Sequence, residues 1–230
     1  MNLSTVEVGG MKFAVRPDSS DLKAIREVIE RKSYRRKTFE LNDAAWLDFG
    51  ANIGAFTVLV GRLGSRVVAF EPDPESFYIL KRNVELNGLV GRVELVQAAV
   101  THDVAVKSLT LHQNSKNRNF WRNSVIHKWR GGTSVEVPAV YWKNAVRDGW
   151  SCKMDIEGSE MGVIEQMSER KFNKLVFEWS FDIDGSIPRF VSAVGGLRGV
   201  YSNVVYAKFD ESKPVWDKSW FPPCRTVWCW

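Results

Sequence analysis

Cysteine and histidine are scarce in this 230-residue chain, with three of each. Cys152, Cys224 and Cys229 form neither an even disulfide framework nor a metal-ligand quartet. A disulfide-stapled scaffold and a structural zinc module are therefore excluded, and a reducing cytoplasm is the expected compartment. Long apolar runs are missing as well. The longest are strand-sized, well short of the roughly 20 residues a membrane-crossing helix needs. The opening "MNLSTVEVGGMKF" has no basic stretch leading into an apolar one, so it does not read as a secretory signal. No repeat or low-complexity linker divides the chain. At 44% hydrophobic residues, it suits one α/β domain spanning 1–230.

The formal charge of +5 is unevenly spread. Between Lys107 and Arg147 eight Lys and Arg face one acid, Glu136, with Trp121, Trp129 and Trp142 interleaved. A second basic cluster is "RKSYRRK" at 31–37. Such stretches face phosphates or acidic sugars, or simply form a solvated surface.

Residues 1–40 read as a preface with one helix, Asp21 to Lys32, in which Leu22, Ile25, Val28 and Ile29 share a face. Strand and helix then alternate. Ala45–Phe49 is a strand and Gly54–Leu63 a helix. "RVVAFEP" leads into the helix "DPESFYILKRNVELNG", capped by Asp73, with Pro74 in its first turn and Asn87-Gly88 at its end. "RVELVQAAV" is the third strand. Two shorter strands, Val104–His112 and Ser134–Pro138, flank an inserted basic and aromatic loop at 113–132. "SCKMDI" is a buried strand feeding the helix "EGSEMGVIEQM". "KLVFEWS" is a strand, "IPRFVSAVGGL" a helix and "VYSNVVYAKF" a last strand, followed by a Trp-rich tail at 210–230. Repeated strand–helix units predict a parallel sheet covered on both faces, with ligands at the carboxyl ends of its strands.

Those ends carry acids: Asp48, Glu71, Asp155 and Glu178. "DFGANIG" follows a strand and opens a helix, and Glu71 comes 21 residues after Gly50 at the next strand's end. That context points to a nucleoside site. Glycines admit a ligand close to the backbone, and an acid at the second strand end accepts ribose hydroxyls. A dinucleotide loop needs Gly-x-Gly-x-x-Gly under its pyrophosphate. This one has a glycine fewer and Asp48 at its entrance. A carboxylate repels a pyrophosphate and favours the cationic S-adenosylmethionine, whose methionine portion the glycines would accommodate. No Gly-Lys-Ser/Thr follows, so a P-loop is excluded.

"DFGANIGAFTVLVGRLGSRVVAFEPDPESFYILKRNVELNG" resembles the cofactor half of class I methyltransferases. "CKMDIEGSEMGVIEQM" followed by "KLVFEWS" is similar to the signature of the FkbM family of O-methyltransferases. The resemblance covers about residues 30 to 180. It implies a Rossmann-like fold with a mostly parallel seven-stranded sheet and helices on both faces. It further implies that Asp48, Gly50, Ala51, Asn52 and Gly54 line the methionine end and that Glu71 binds the ribose. Pro72, Gln97 and Ala98 would edge the adenine, and Asp155 would stand near the reactive methyl.

Asp155 and Glu178 are the candidate catalytic residues, to orient or deprotonate an acceptor hydroxyl. Asp155 also reads as a cap for the following helix, and Glu157 and Glu160 as first-turn acids favoured by the helix dipole. Lys153 reads as reaching the rim or pairing with an acid. No metal is expected, since a third ligand beside Asp155 and Glu178 is not evident. The expected acceptor is a hydroxyl of a sugar or natural product. RNA ribose 2′-O methylation, as at a cap, is the alternative that the basic, Trp-interleaved stretch supports. Lys32 or Lys37 could supply its first lysine, but Glu178 stands where another lysine is wanted. An inactive cofactor-binding scaffold is a third reading. The Trp-rich tail covers a sheet edge or core, lines an acceptor pocket or forms a homodimer interface.

Overall fold

The computed structural model describes residues 2–114, 123–128, 130–180, 186–206 and 224–230, with side chains at the last segment from Thr226 onward. Trp121 and Trp129 of the inserted loop, and Trp216 and Trp220 of the tail, lie outside the described residues.

The preface holds more than its helix. Strands β1 (Ser4–Val8) and β2 (Met11–Val15) form an antiparallel hairpin before α1 (Asp21–Ile29). Gly9 and Gly10 turn it with φ of +58° and +74°, the left-handed pair that a two-residue hairpin requires. The signal, Gly-Gly between two alternating segments, is present in the sequence. Arg16, 5% exposed, ties the hairpin to α1 through Asp21, with Nη2 2.8 Å from Oδ1 and Nε donating to Oδ2 at 3.0 Å.

The main body alternates as expected: β3 (Ala45–Phe49), α2 (Ala55–Arg62), β4 (Arg66–Phe70), α3 (Pro74–Leu86) and β5 (Val93–Val96). Asp73 accepts from the Ser76 amide at 2.8 Å, capping α3 where its sequence predicts. On α3, Asn83 and Asn87 lie one turn apart and use their amides to bind strand β2. Asn83 Oδ1 accepts from Ala14 N at 2.6 Å, and Asn87 Nδ2 donates to Lys12 O at 2.7 Å.

The expected third strand is two strands. After β5 the chain turns at Gln97-Ala98, and β6 (Ala99–Thr101) leaves for a second sheet with β7 (Ser108–Gln113) and β8 (Thr133–Tyr141), in the order β6-β8-β7. Beyond the short α4 (Trp142–Ala145), β9 (Ser151–Met154) returns to the main sheet. The next helix, α5, is shorter than predicted, Glu160–Ile164, because Glu157 and Gly158 hold φ of +52° and +104° and cannot begin it. Strand β10 (Leu175–Ser180), α6 (Ile187–Leu197) and β11 (Val204–Tyr206) follow.

The final segment is itself a strand. β12 (Cys224–Cys229) runs antiparallel between β10 and β11, so part of the predicted tail belongs to the sheet. The seven-stranded order is β11-β12-β10-β9-β3-β4-β5, and the pairs from β10 through β5 are parallel. Strand alternation divides the core. Trp46 packs with Ile25, Val58 and Ile79 on the α1–α3 side, whereas Leu47 and Phe49 pack with Met161, Phe190 and Val194 on the α5–α6 side. Chain order reverses between β3 and β9, and that switch point opens a crevice at their carboxyl ends.

Candidate functional site

The loop after β3 owes its glycines first to the chain's own packing. Gly50, at φ +76°, turns so that its amide and that of Ala51 donate to Phe70 O at 3.0 and 2.9 Å. A Cβ there would stand 1.8 Å from the Asp155 carbonyl oxygen. At Gly54, φ +89°, a Cβ would meet Leu80 Cδ1 at 2.5 Å. Gly50 thus lets the loops after β3 and β9 touch, and Gly54 seats the start of α2 against α3. These contacts supply a reason for the spacing beyond the ligand approach read from the sequence.

Asp48 stands behind the loop. It is fully buried, accepts from Thr57 Oγ1 at 2.6 Å and lies 3.1 Å from Lys153 Nζ. The register sets Asp48 opposite Lys153 on adjacent strands, on the same face as Trp46. Lys153 also donates to Gly50 O at 2.6 Å, fixing the loop. Burial alone would lower the lysine's pKa, but Asp48 and Asp155 outweigh it and hold the amine above its ordinary value. Lys153 therefore pairs with an acid, one of its two sequence readings. Because the ion pair neutralises Asp48, the repulsion argument against a pyrophosphate loses its direct form.

Glu71 is 7% exposed at the end of β4. Its Oε2 accepts from Asn52 N at 2.7 Å and its Oε1 from Asp73 N at 2.8 Å. Burial, with the charge of Asp73, pushes its pKa up to about 8 despite these bonds. Asn52 sits at φ +51°, a left-handed conformation that asparagine tolerates, and its Oδ1 accepts from the Ile53 amide at 2.7 Å.

After β9, Asp155 Oδ2 accepts from the Tyr34 hydroxyl at 2.8 Å, while Oδ1 is buried with no hydrogen-bond partner among the described residues. Asp155 is not the helix cap, since Ser159 holds that position. Glu160 has a structural role. Its Oε1 accepts from Ile156 N at 2.7 Å and Oε2 from Gly158 N at 2.9 Å, bracing the loop. Burial, with the charge of Asp155, pushes its pKa up to about 8.

These elements enclose a cavity of about 530 Å³. Gly50, Ala51, Asn52, Glu71, Pro72, Ala98, Asp155 and Glu178 all line it, whereas Asp48, Gly54 and Gln97 do not. Three walls were not predicted: Tyr34 with the Lys23–Val28 face of α1, Phe56 on α2, and Leu111 of β7 with Asn123 and Val125 from the segment between β7 and β8. Tyr34 had a faint signal as the single aromatic in "RKSYRRK". Among the described residues, no group of three or more His, Cys, Asp and Glu could hold a metal ion. No described helix is long and apolar enough to cross a membrane.

A mostly parallel seven-stranded sheet with this switch point, and helices on both faces, is the fold of class I methyltransferases. A solved structure of precorrin-6y C5,15-methyltransferase from Geobacter metallireducens shares the fold. Its TM-score is 0.50 over 95% of this chain and 94% of that one, at 14% identity. The Methyltransferase FkbM domain matches residues 48–195, and the chain belongs to that family. Among curated relatives, "31-O-demethyl-FK506 methyltransferase FkbM" of Streptomyces tacrolimicus is 33% identical over 39% of this chain and 35% of its own length. "Methyltransferase sdnD" of Sordaria araneosa is 23% identical over 58% of this chain and 65% of its own length. The matches thus span less than two thirds of either relative.

Proposed function

We propose that the chain binds S-adenosylmethionine in this cavity and methylates a hydroxyl of a sugar or natural product. The observation that carries the reading is the pair of strand-end carboxylates, Glu71 and Asp155, lining one cavity at the switch between β3 and β9. The residues suit that ligand. Glu71, Pro72 and Ala98 would receive the adenosine and its ribose hydroxyls, and Gly50–Asn52 the methionine portion. Asp155 Oδ1, a buried acceptor without a donor among the described residues, suits a cationic group.

S-adenosylmethionine supplies a methyl group on a positively charged sulfur. The chain's task is to align the acceptor oxygen, exclude water and take up the acceptor's proton. Tyr34 engages one oxygen of Asp155. Glu178, half-buried in the same cavity wall, is the second candidate to receive the proton. The name of the Streptomyces tacrolimicus relative, a 31-O-demethyl-FK506 methyltransferase, supports a hydroxyl acceptor.

Calorimetry with S-adenosylmethionine, followed by a labelled-methyl screen over glycans, polyketides and capped RNA, tests the reading. Glu71→Ala should weaken cofactor binding about tenfold, the scale for losing one or two ordinary hydrogen bonds to the ribose. Glu178→Gln should retain binding and lose turnover. Transfer to RNA with salt-sensitive binding would replace the acceptor class, and binding without transfer to any acceptor would favour the scaffold reading.

A further inference from the structure

Tyr34 belongs to neither signature stretch, yet it is 5% exposed and stands in the cavity wall. Its hydroxyl donates to Asp155 Oδ2 at 2.8 Å. The ring meets Phe56 edge-on with centroids 5.6 Å apart, and Lys153 Nζ lies 5.6 Å from its centre. Behind it, the Tyr34 carbonyl accepts from Trp228 Nε1 at 3.2 Å. Residues of α2, β9 and β12 therefore hold this one side chain and its backbone in place. Burial, with the charges of Asp155 and Glu178, keeps the phenol well above its ordinary pKa. Tyr34 is thus a hydrogen-bond donor throughout the working range and not a base.

A carboxylate whose Oδ2 takes the tyrosine hydroxyl still has its second oxygen to offer to a donor. Oδ1 of Asp155 is that second oxygen, and it is buried without a hydrogen-bond partner among the described residues. Such a group is costly to leave unpaired, and in a cavity wall a ligand donor can satisfy it in place of water.

We infer that Tyr34 is a positioning residue of the methyl-transfer site: by occupying Oδ2 it fixes the Asp155 carboxylate so that Oδ1 receives the ammonium group of the bound cofactor. The inference rests on the proposed S-adenosylmethionine reading. It also gives the C-terminal strand a part in the site, since Trp228 holds the backbone that carries Tyr34.

The test is a double-mutant cycle read by calorimetric binding of S-adenosylhomocysteine, which bears the same ammonium and needs no acceptor. Wild type, Tyr34→Phe, Asp155→Ala and the double variant are compared. Tyr34→Phe keeps the ring packing and should weaken binding about tenfold, the scale for a hydrogen bond to a charged group. In the Asp155→Ala background the same change should have no further effect, because the tyrosine acts through the carboxylate. Wild-type affinity in Tyr34→Phe would overturn the inference, as would a second tenfold loss in the double variant. So would a Tyr34→Phe melting midpoint far below wild type, since lost packing would then account for the weakening. Wild-type protein that fails to bind S-adenosylhomocysteine would instead overturn the cofactor reading itself. If Asp155→Ala does not fold, Asp155→Ser takes its place in the cycle.

Discussion

Replacing Lys153 with methionine should destabilise the fold far more than its position at a cavity wall suggests. Lys153 and Asp48 have side chains 4% and 0% exposed, with Nζ and Oδ1 3.1 Å apart. At an effective dielectric near 20, charges at that distance attract by about 5 kcal/mol. The paired state has already met the desolvation cost of both ions. Lys153→Met removes the attraction and strands Asp48 as a buried charge that keeps the Thr57 hydroxyl as a hydrogen-bond donor. Breaking a buried pair in this way costs about 3–5 kcal/mol. At about 2–4 °C per kcal/mol for a chain of this size, the melting midpoint should fall by roughly 10 °C. Lys153 also clamps the Gly50 carbonyl, so cofactor affinity should fall with it. The decisive comparison is Asp48→Asn with Lys153→Met. That double variant removes both charges and keeps an acceptor for Thr57, and it should recover more than half of the lost stability in denaturant titrations. A single variant within about 1 kcal/mol of wild type would refute the reasoning, and so would a double variant no more stable than the single one.

Gly50→Ala should fail to yield a cofactor-binding protein, since its Cβ would sit 1.8 Å from Asp155 O. Gly10→Ala is the control: it shares a positive φ, +74°, but its Cβ would meet nothing within 4 Å among the described residues, so denaturant titration should show only the conformational cost of about 1–2 kcal/mol. Glu160, with a pKa near 8 against an ordinary 4.5, is protonated in the fold over a range where the unfolded chain is ionised. Its contribution to stability is therefore fully present below about 4.5 and is lost as pH rises toward 8. Glu160→Gln should flatten the fall in melting midpoint between pH 5 and 8.5, and an unchanged slope would contradict the assignment.

The sequence by itself determined the order of strands and helices in the central body, because period and capping are local. Asp73-Pro74 starts α3 and Asn87-Gly88 ends it wherever the helix lies. It also determined which strands end in carboxylates, and hence that Glu71 and Asp155 belong to one rim once the strands are parallel. The hairpin around Gly9-Gly10 was legible but overlooked. Other features had no local signature. That Asp48 is neutralised depends on its register with Lys153, more than a hundred residues away. The short α5 reflects positive φ values at Glu157 and Gly158, which let Glu160 turn back and brace the loop. Tyr34 reaches Asp155 across 121 positions of sequence. Residue type and spacing set local conformation, but only the folded sheet decides which charges share a low-dielectric interior, and there a contact of 3 Å outweighs any pattern along the chain.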